Sequence, residues 1–155
     1  MVSLVAAPAN GVRARALLTD YFAMRGELFP GGSYQPMFPA ADVFDPPAGV
    51  FLIAVDEDGH DVGCGGIRRI DDGARGARYE VKHLFLRPET RGRGWGQALL
   101  CELEARARGW GGAELVLDTH HTLEPAGRLY ARFGFSEIEP YNTNPNATRW
   151  YGKPL

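Results

Sequence analysis

Lysine is almost missing from this chain. Lys82 and Lys153 are the only two in 155 residues, and arginine carries the rest of the positive charge. With 17 basic and 19 acidic side chains the formal net charge is −2. Neither nucleic acid nor an anionic membrane surface is therefore favoured as a main partner. Cysteine is scarce too. Cys64 and Cys101 are too few for a disulfide framework and lack metal-ligand spacing. They are expected to be reduced thiols in or near the core of a cytoplasmic protein. No apolar run approaches the length of a membrane span. The stretch from Met1 to Ala7 has no basic start and too short an apolar run for a signal peptide.

What is present is a globular composition. Apolar residues make up 45% of the chain, and 155 residues suit one domain with a substantial core. Ser3 to Ala6 reads as a short strand. A turn leads to an amphipathic helix over about Val12 to Phe22, with Val12, Ala16, Leu17 and Tyr21 on one face. From Gly26 to Pro47, prolines and glycines interleave with Phe29, Tyr34, Met37, Phe38 and Phe44, so no long regular helix forms there. That segment reads as a lid of aromatics on the core, as a wall of a binding site, or as both. Val50 to Val55 and Val62 to Ile70 are strands joined at Asp56-Glu57-Asp58-Gly59, and a second turn leads into a third strand.

The chain is organised around Tyr79 to Leu100. An apolar strand ends at Pro88, a loop carries Arg91-Gly92-Arg93-Gly94-Trp95-Gly96, and helical spacing follows from Trp95 to Arg108. A strand feeding such a loop at a helix start suits an anion. Free N–H groups and the positive helix end point outward, and glycines let the anion come close. The loop lacks the Lys-Ser/Thr of the P-loop, and Gln97 breaks the dinucleotide pattern. Glu114 to Thr119 is the next strand, parallel to the central one through the intervening helix. Leu123 to Phe133 reads as the last helix, and Phe135 to Ile138 and Ala147 to Gly152 as closing strands.

The spacing Arg91-x-x-Gly94-x-Gly96 after that strand resembles the GCN5-related N-acetyltransferase (GNAT) family. Leu129-Tyr130-Ala131-Arg132-Phe133-Gly134-Phe135 is similar to the family's Leu-Tyr-x-x-x-Gly-Phe, and Tyr141-Asn142-x-Asn144-Pro145-x-Ala147-x-x-Trp150 resembles a bacterial subgroup. The resemblance covers nearly the whole chain. It implies an α/β (α+β) fold over residues 1–155. That fold has a mixed, mostly antiparallel sheet of six to seven strands, helices on both faces, and a splay between the fourth and fifth strands. It implies acetyl-CoA as acetyl donor. No metal is expected, because neither Cys nor a second carboxylate completes Asp118-Thr119-His120-His121 as a ligand set. The coenzyme would lie along the backbones of Leu84, Phe85 and Leu86, as an extended chain added to a strand edge. Its pyrophosphate would sit on Arg91, Gly92, Arg93, Gly94, Trp95 and Gly96.

Two residues take catalytic roles by the same resemblance. Tyr130 matches the tyrosine beside the coenzyme sulfur and would protonate the departing thiolate. Glu80 stands eleven residues before Arg91, as does the central-strand general base of one branch of the family. A salt bridge with Lys82 or a neighbour is the competing role for Glu80. Strand alternation places Glu80, Lys82, Leu84 and Leu86 on one face, with Tyr79, Val81, His83 and Phe85 on the other. His120 ends a strand and is the alternative base. Where many members carry an asparagine, seven residues before the tyrosine, this chain has Leu123. The expected reaction is direct acetyl transfer to a primary amine of a small molecule, amino acid or peptide. A non-catalytic acyl-CoA sensor, another acyl group, a hydroxyl acceptor and a homodimer stay open.

Overall fold

In the computed structural model, which describes residues 1–32 and 34–155, seven strands form one sheet. Ser33, inside the expected Gly26–Pro47 segment, lies outside the described residues. The strands are β1 (Ser3–Ala6), β2 (Gly49–Val55), β3 (Asp61–Gly73), β4 (Gly76–Leu86), β5 (Glu114–Thr119), β6 (Ser136–Glu137) and β7 (Arg149–Pro154). Their order is β1-β2-β3-β4-β5-β7-β6, antiparallel except for the β4–β5 pair. Helix α1 spans Val12–Leu28, α2 Trp95–Gly109 and α3 Glu124–Phe133. This is the mixed, splayed α/β architecture expected from the sequence. No helix among the described residues is long and apolar enough to cross a membrane.

Helix α1 runs six residues beyond its expected end, because Ala23 to Leu28 tolerate the helix until Pro30 stops it. Its buried face is also different. Ala14, Leu17, Leu18, Tyr21 and Phe22 are buried, whereas Val12 and Ala16 are exposed. The i, i+3, i+4, i+7, i+8 set carries the larger side chains and takes the core. Helix α2 buries Leu99, Leu103 and Ala107 along one stripe, and Glu102–Arg106 and Glu104–Arg108 pair at 2.9 and 3.4 Å. Cys64 is buried, but Cys101 is exposed, since it falls off the Leu99–Leu103–Ala107 stripe.

The two faces of the sheet carry separate cores. Helix α1 packs on one with Phe51, Ile53, Cys64 and Phe85; α2 packs on the other with Leu52, Ile67, Tyr79 and Val81. Strand β4 changes face on the way. Cys64 pairs with Phe85 and Gly66 with Lys82, so β4 spends one residue more than β3 there. His83 sits in that bulge at φ 59°, a left-handed conformation uncommon for a residue with a Cβ. Strict alternation therefore fails. Leu84 and Leu86 pack on the α2 core with Tyr79 and Val81, while Phe85 faces α1.

Candidate active site

Parallel pairing between β4 and β5 covers only Arg78, Tyr79 and Glu80 against Glu114, Leu115 and Val116. Strand β5 then follows β7 as far as Thr119, while β4 stays with β3. Beyond Glu80, β4 has no partner strand on its β5 side among the described residues. A cavity of about 1010 Å³ fills the gap and is lined from both faces of the sheet, by Tyr21 and Phe22 of α1 and by Leu129 and Tyr130 of α3. Extended backbone beside such a cavity presents N–H and C=O groups to whatever enters.

At one end the cavity meets the start of α2. Gly94 is the N-cap at φ 79°, and Gly92 lies at φ 83°. A Cβ built on either meets no protein atom within 4 Å, so both face open space. The first N–H groups of α2 have no helical partners, and Arg91 lines the same end. That set fits a pyrophosphate. Gly96 has another task, since a Cβ there would come within 2.9 Å of Leu129 Cδ2, and its absence lets α2 and α3 close up. Arg93 does not line the cavity; its guanidinium lies 5.3 Å from the Trp95 ring centroid. Leu84, Phe85, Leu86 and Trp95 all line it, and so does Leu123 where an asparagine was the family pattern.

Tyr130 reaches the cavity from α3, its ring edge-on to Phe135 at 5.9 Å. Burial pushes its phenol well above the usual tyrosine range, so the hydroxyl keeps its proton. No hydrogen bond to that hydroxyl is formed among the described residues.

Glu80 is placed differently. It is 1% exposed and does not line the cavity. Arg68 Nε donates to its Oε1 at 2.8 Å, the Tyr141 hydroxyl donates to its Oε2 at 2.6 Å, and Lys82 Nζ lies 3.5 Å from Oε2. Both oxygens are engaged, which is the salt-bridge arrangement, and the carboxylate lies off the cavity. Burial and the Glu80 carboxylate hold the Tyr141 phenol far above its ordinary value, as a donor. His120 is also off the main cavity. Its Nδ1 is 2.7 Å from Thr122 Oγ1, and its ring lies 4.9 Å from Phe29.

A second network was not foreseen. Lys82 Nζ donates to Asp118 Oδ1 at 3.0 Å, and Asn142 Nδ2 donates to Asp118 Oδ2 at 2.7 Å. Burial opposes ionisation of Asp118, but Lys82 and Asn142 outweigh it and its carboxyl stays below the ordinary value. Asn142 Oδ1 in turn accepts from Trp150 Nε1 and from the Asn144 backbone, and Asn144 Oδ1 accepts from the Asn146 backbone. Asparagines two apart form successive side-chain turns, a pattern visible in the sequence. Asn146 Nδ2 then donates to the Gln35 carbonyl at 2.9 Å. The loop before β7 is thereby tied to the segment after α1, and both line the cavity.

A helix start with free N–H groups, an open strand edge and a buried phenol thus surround one cavity. A model of the acetyltransferase (GNAT) family matches residues 14–135. The chain belongs to the GNAT acetyltransferase family. An uncharacterized N-acetyltransferase of Schizosaccharomyces pombe is 42% identical over 102 residues, 66% of this chain and 61% of the relative. The match thus spans less than two thirds of that protein's length. A Klebsiella pneumoniae structure described as an acyl-CoA N-acyltransferase aligns at TM-score 0.78 with 26% identity, covering 100% of this chain and 98% of the other. A GNAT family acetyltransferase from Elizabethkingia anophelis, solved with acetyl-CoA bound, shares the fold at TM-score 0.64 and 15% identity, covering 99% and 98%.

His83 gives the fold a pH signature. Its imidazole lines the cavity among Tyr21, Phe22 and Phe44 and is held down at about 3, mainly by burial and then by Lys82 and Arg68. The unfolded chain binds that proton near pH 6.5, the folded chain only near 3. His83 therefore contributes stability above 6.5 that is lost as the pH falls toward 3. His83→Asn keeps a residue that tolerates positive φ. Urea unfolding between pH 7 and 4.5 should show its acid limb flattened by up to about 1.4 kcal/mol per pH unit. Parallel limbs in both proteins would mean that the imidazole is solvated.

Proposed function

We propose that this protein transfers the acetyl group of acetyl-CoA directly to a primary amine of a small molecule, amino acid or peptide, residues 1–155 acting as one acetyltransferase domain. The observation that carries the reading is the Tyr130 hydroxyl, free of partners among the described residues, on the same cavity as the α2 cradle and the open β4 edge. The N-acyltransferase description of the Klebsiella relative and the acetyl-CoA of the Elizabethkingia structure support it.

Acetyl-CoA supplies an acyl carbon activated by its thioester. The start of α2, with Gly92, Gly94 and Trp95, holds the pyrophosphate on backbone N–H groups, and Arg91 adds charge. The backbones of Leu84, Phe85 and Leu86 take the extended arm as an added strand, and an N–H there polarises the thioester carbonyl. The acceptor nitrogen attacks as the neutral amine, the C–N bond forms and the C–S bond breaks. Tyr130 donates its proton to the departing sulfur, the amide nitrogen gives up its surplus proton to water, and the Tyr130 phenolate is reprotonated from that water. Glu80 serves this chemistry as an anchor, fixing Arg68 and Tyr141 on the acceptor side of the gap.

An acetyl-CoA turnover screen over amino acids, polyamines, aminoglycosides and peptides tests the reading. Turnover of an amine supports it, whereas coenzyme binding with silence across the panel makes the protein a sensor. Arg91 is exposed, so Arg91→Ala should cost coenzyme affinity at the lower end for a charge-assisted contact, about 1.5 kcal/mol or roughly tenfold. Calorimetry with coenzyme A measures it. Unchanged affinity would take Arg91 out of the phosphate site.

A further inference from the structure

Three cations, Arg25, Arg68 and Lys82, line the α1 side of the cavity, and two carboxylates, Glu80 and Asp118, stand beside the last two. Arg68 is on Glu80 at 2.8 Å and Lys82 on Asp118 at 3.0 Å. Arg25 is left over. Among the described residues it meets no carboxylate. It is nonetheless held in place, with Nη1 donating to the Tyr21 hydroxyl and Nη2 to the Asn146 carbonyl, both at 3.1 Å. The Tyr34 ring lies 5.1 Å from its guanidinium carbon. All of these partners are neutral. A half-buried guanidinium fixed by neutral groups keeps its charge uncompensated and N–H donors to spare, and its planar fork matches a carboxylate.

The surroundings describe the rest of the ligand. Tyr34, Phe22 and Phe44 line this side, and Met37 and Phe38 stand at 77% and 40% exposure on the same cavity. Large apolar side chains left in water beside a cavity are covered at little cost by an apolar ligand. The phosphate cradle at α2 packs on the opposite face of the sheet, so Arg25 is not spent on the coenzyme.

We propose that the acceptor is an amine that also carries a carboxylate on an apolar or aromatic body, and that Arg25 binds the carboxylate. This rests on the N-acetyltransferase reading and narrows it to amino-acid-like acceptors. Glu80 and Asp118 do not compete for that role, because their charges are already matched by Arg68 and Lys82.

The test compares aromatic and aliphatic amino acids with their amides and with the corresponding decarboxylated amines, all as acetyl acceptors. The free carboxylate should raise kcat/KM by at least tenfold for the best member of the panel. In Arg25→Gln the ratio of acid to amide should fall to near one, through KM more than kcat, and Arg25→Lys should recover part of it. Coenzyme affinity of each variant reports whether it is folded. Amides or simple amines used as well as the acids by the wild type would overturn the proposal and leave the acetyltransferase reading standing. If no acceptor turns over, calorimetry of N-acetyl amino acids on the coenzyme A complex decides. Binding lost in Arg25→Gln supports the carboxylate site, and no binding to the wild type overturns it.

Discussion

Tyr130→Phe is expected to lower kcat by about 10²- to 10⁴-fold while leaving coenzyme affinity nearly unchanged. The substitution keeps the ring and its edge-on contact with Phe135, so packing around α3 survives. What it removes is a hydroxyl that burial keeps protonated and that has no other partner among the described residues. A donor of that kind is lost without leaving an orphaned acceptor in the protein, so stability should change little. Single-turnover kinetics with acetyl-CoA and the best acceptor separate the acyl-transfer step from product release. If transfer stays as fast as in the wild type, Tyr130 is a packing surface for the coenzyme and the thiolate takes its proton from water.

Much of this site was legible because it is local in sequence. The strand, the glycine loop and the helix from Tyr79 to Arg108 follow one another directly, and hydrophobic period and glycine placement mark each boundary. The antiparallel run β2-β3-β4 and the parallel β4–β5 pair followed from turn lengths and from the helix crossover, whereas the seat of β7 between β5 and β6 did not. Periodicity could not show the bulge at His83. One extra residue opposite Gly65 moves Leu84, Phe85 and Leu86 to faces that strict alternation denies them, and no residue type announces it.

Long-range pairs were the other blind spot. Glu80 was placed correctly on the central strand, but its partner Tyr141 is 61 residues away, and Lys82 reaches Asp118 over 36. Composition supplies no distance between such groups; the fold does. Arg25 escaped notice for a different reason. It falls at the border of the Pro- and Gly-rich segment, and only the extension of α1 to Leu28 carries it to the cavity wall. Arg93 shows the same limit, since two arginines flanking a glycine loop look equivalent in sequence, while the fold sets one on the cavity and the other over Trp95.

The anchor role of Glu80 and the base role make opposite predictions, and Glu80→Ala and Glu80→Gln tell them apart. Removing the carboxylate leaves the Tyr141 hydroxyl and Arg68 without their acceptor, and Lys82 with Asp118 alone. Breaking a buried ion pair costs about 3–5 kcal/mol when the remaining charge stays buried. Arg68 is 39% exposed and can rehydrate, so Glu80→Ala should destabilise by about 3 kcal/mol, at the low end. Glu80→Gln keeps one oxygen to accept from Arg68 or Tyr141 but loses the charge. It should cost about 1.5–2 kcal/mol, the lower end for a hydrogen bond to a charged group. Denaturant midpoints measure both. The pH profile of kcat/KM for the acceptor should keep its shape in Glu80→Gln, because the ionisation it follows belongs to the amine. A general base would behave in reverse. Its loss would depress the rate most at neutral pH, with recovery at high pH where the amine is already neutral, and would leave the unfolding midpoint in place. That outcome would return Glu80 to the reaction and require Tyr141 or Lys82 to move aside when the acceptor binds.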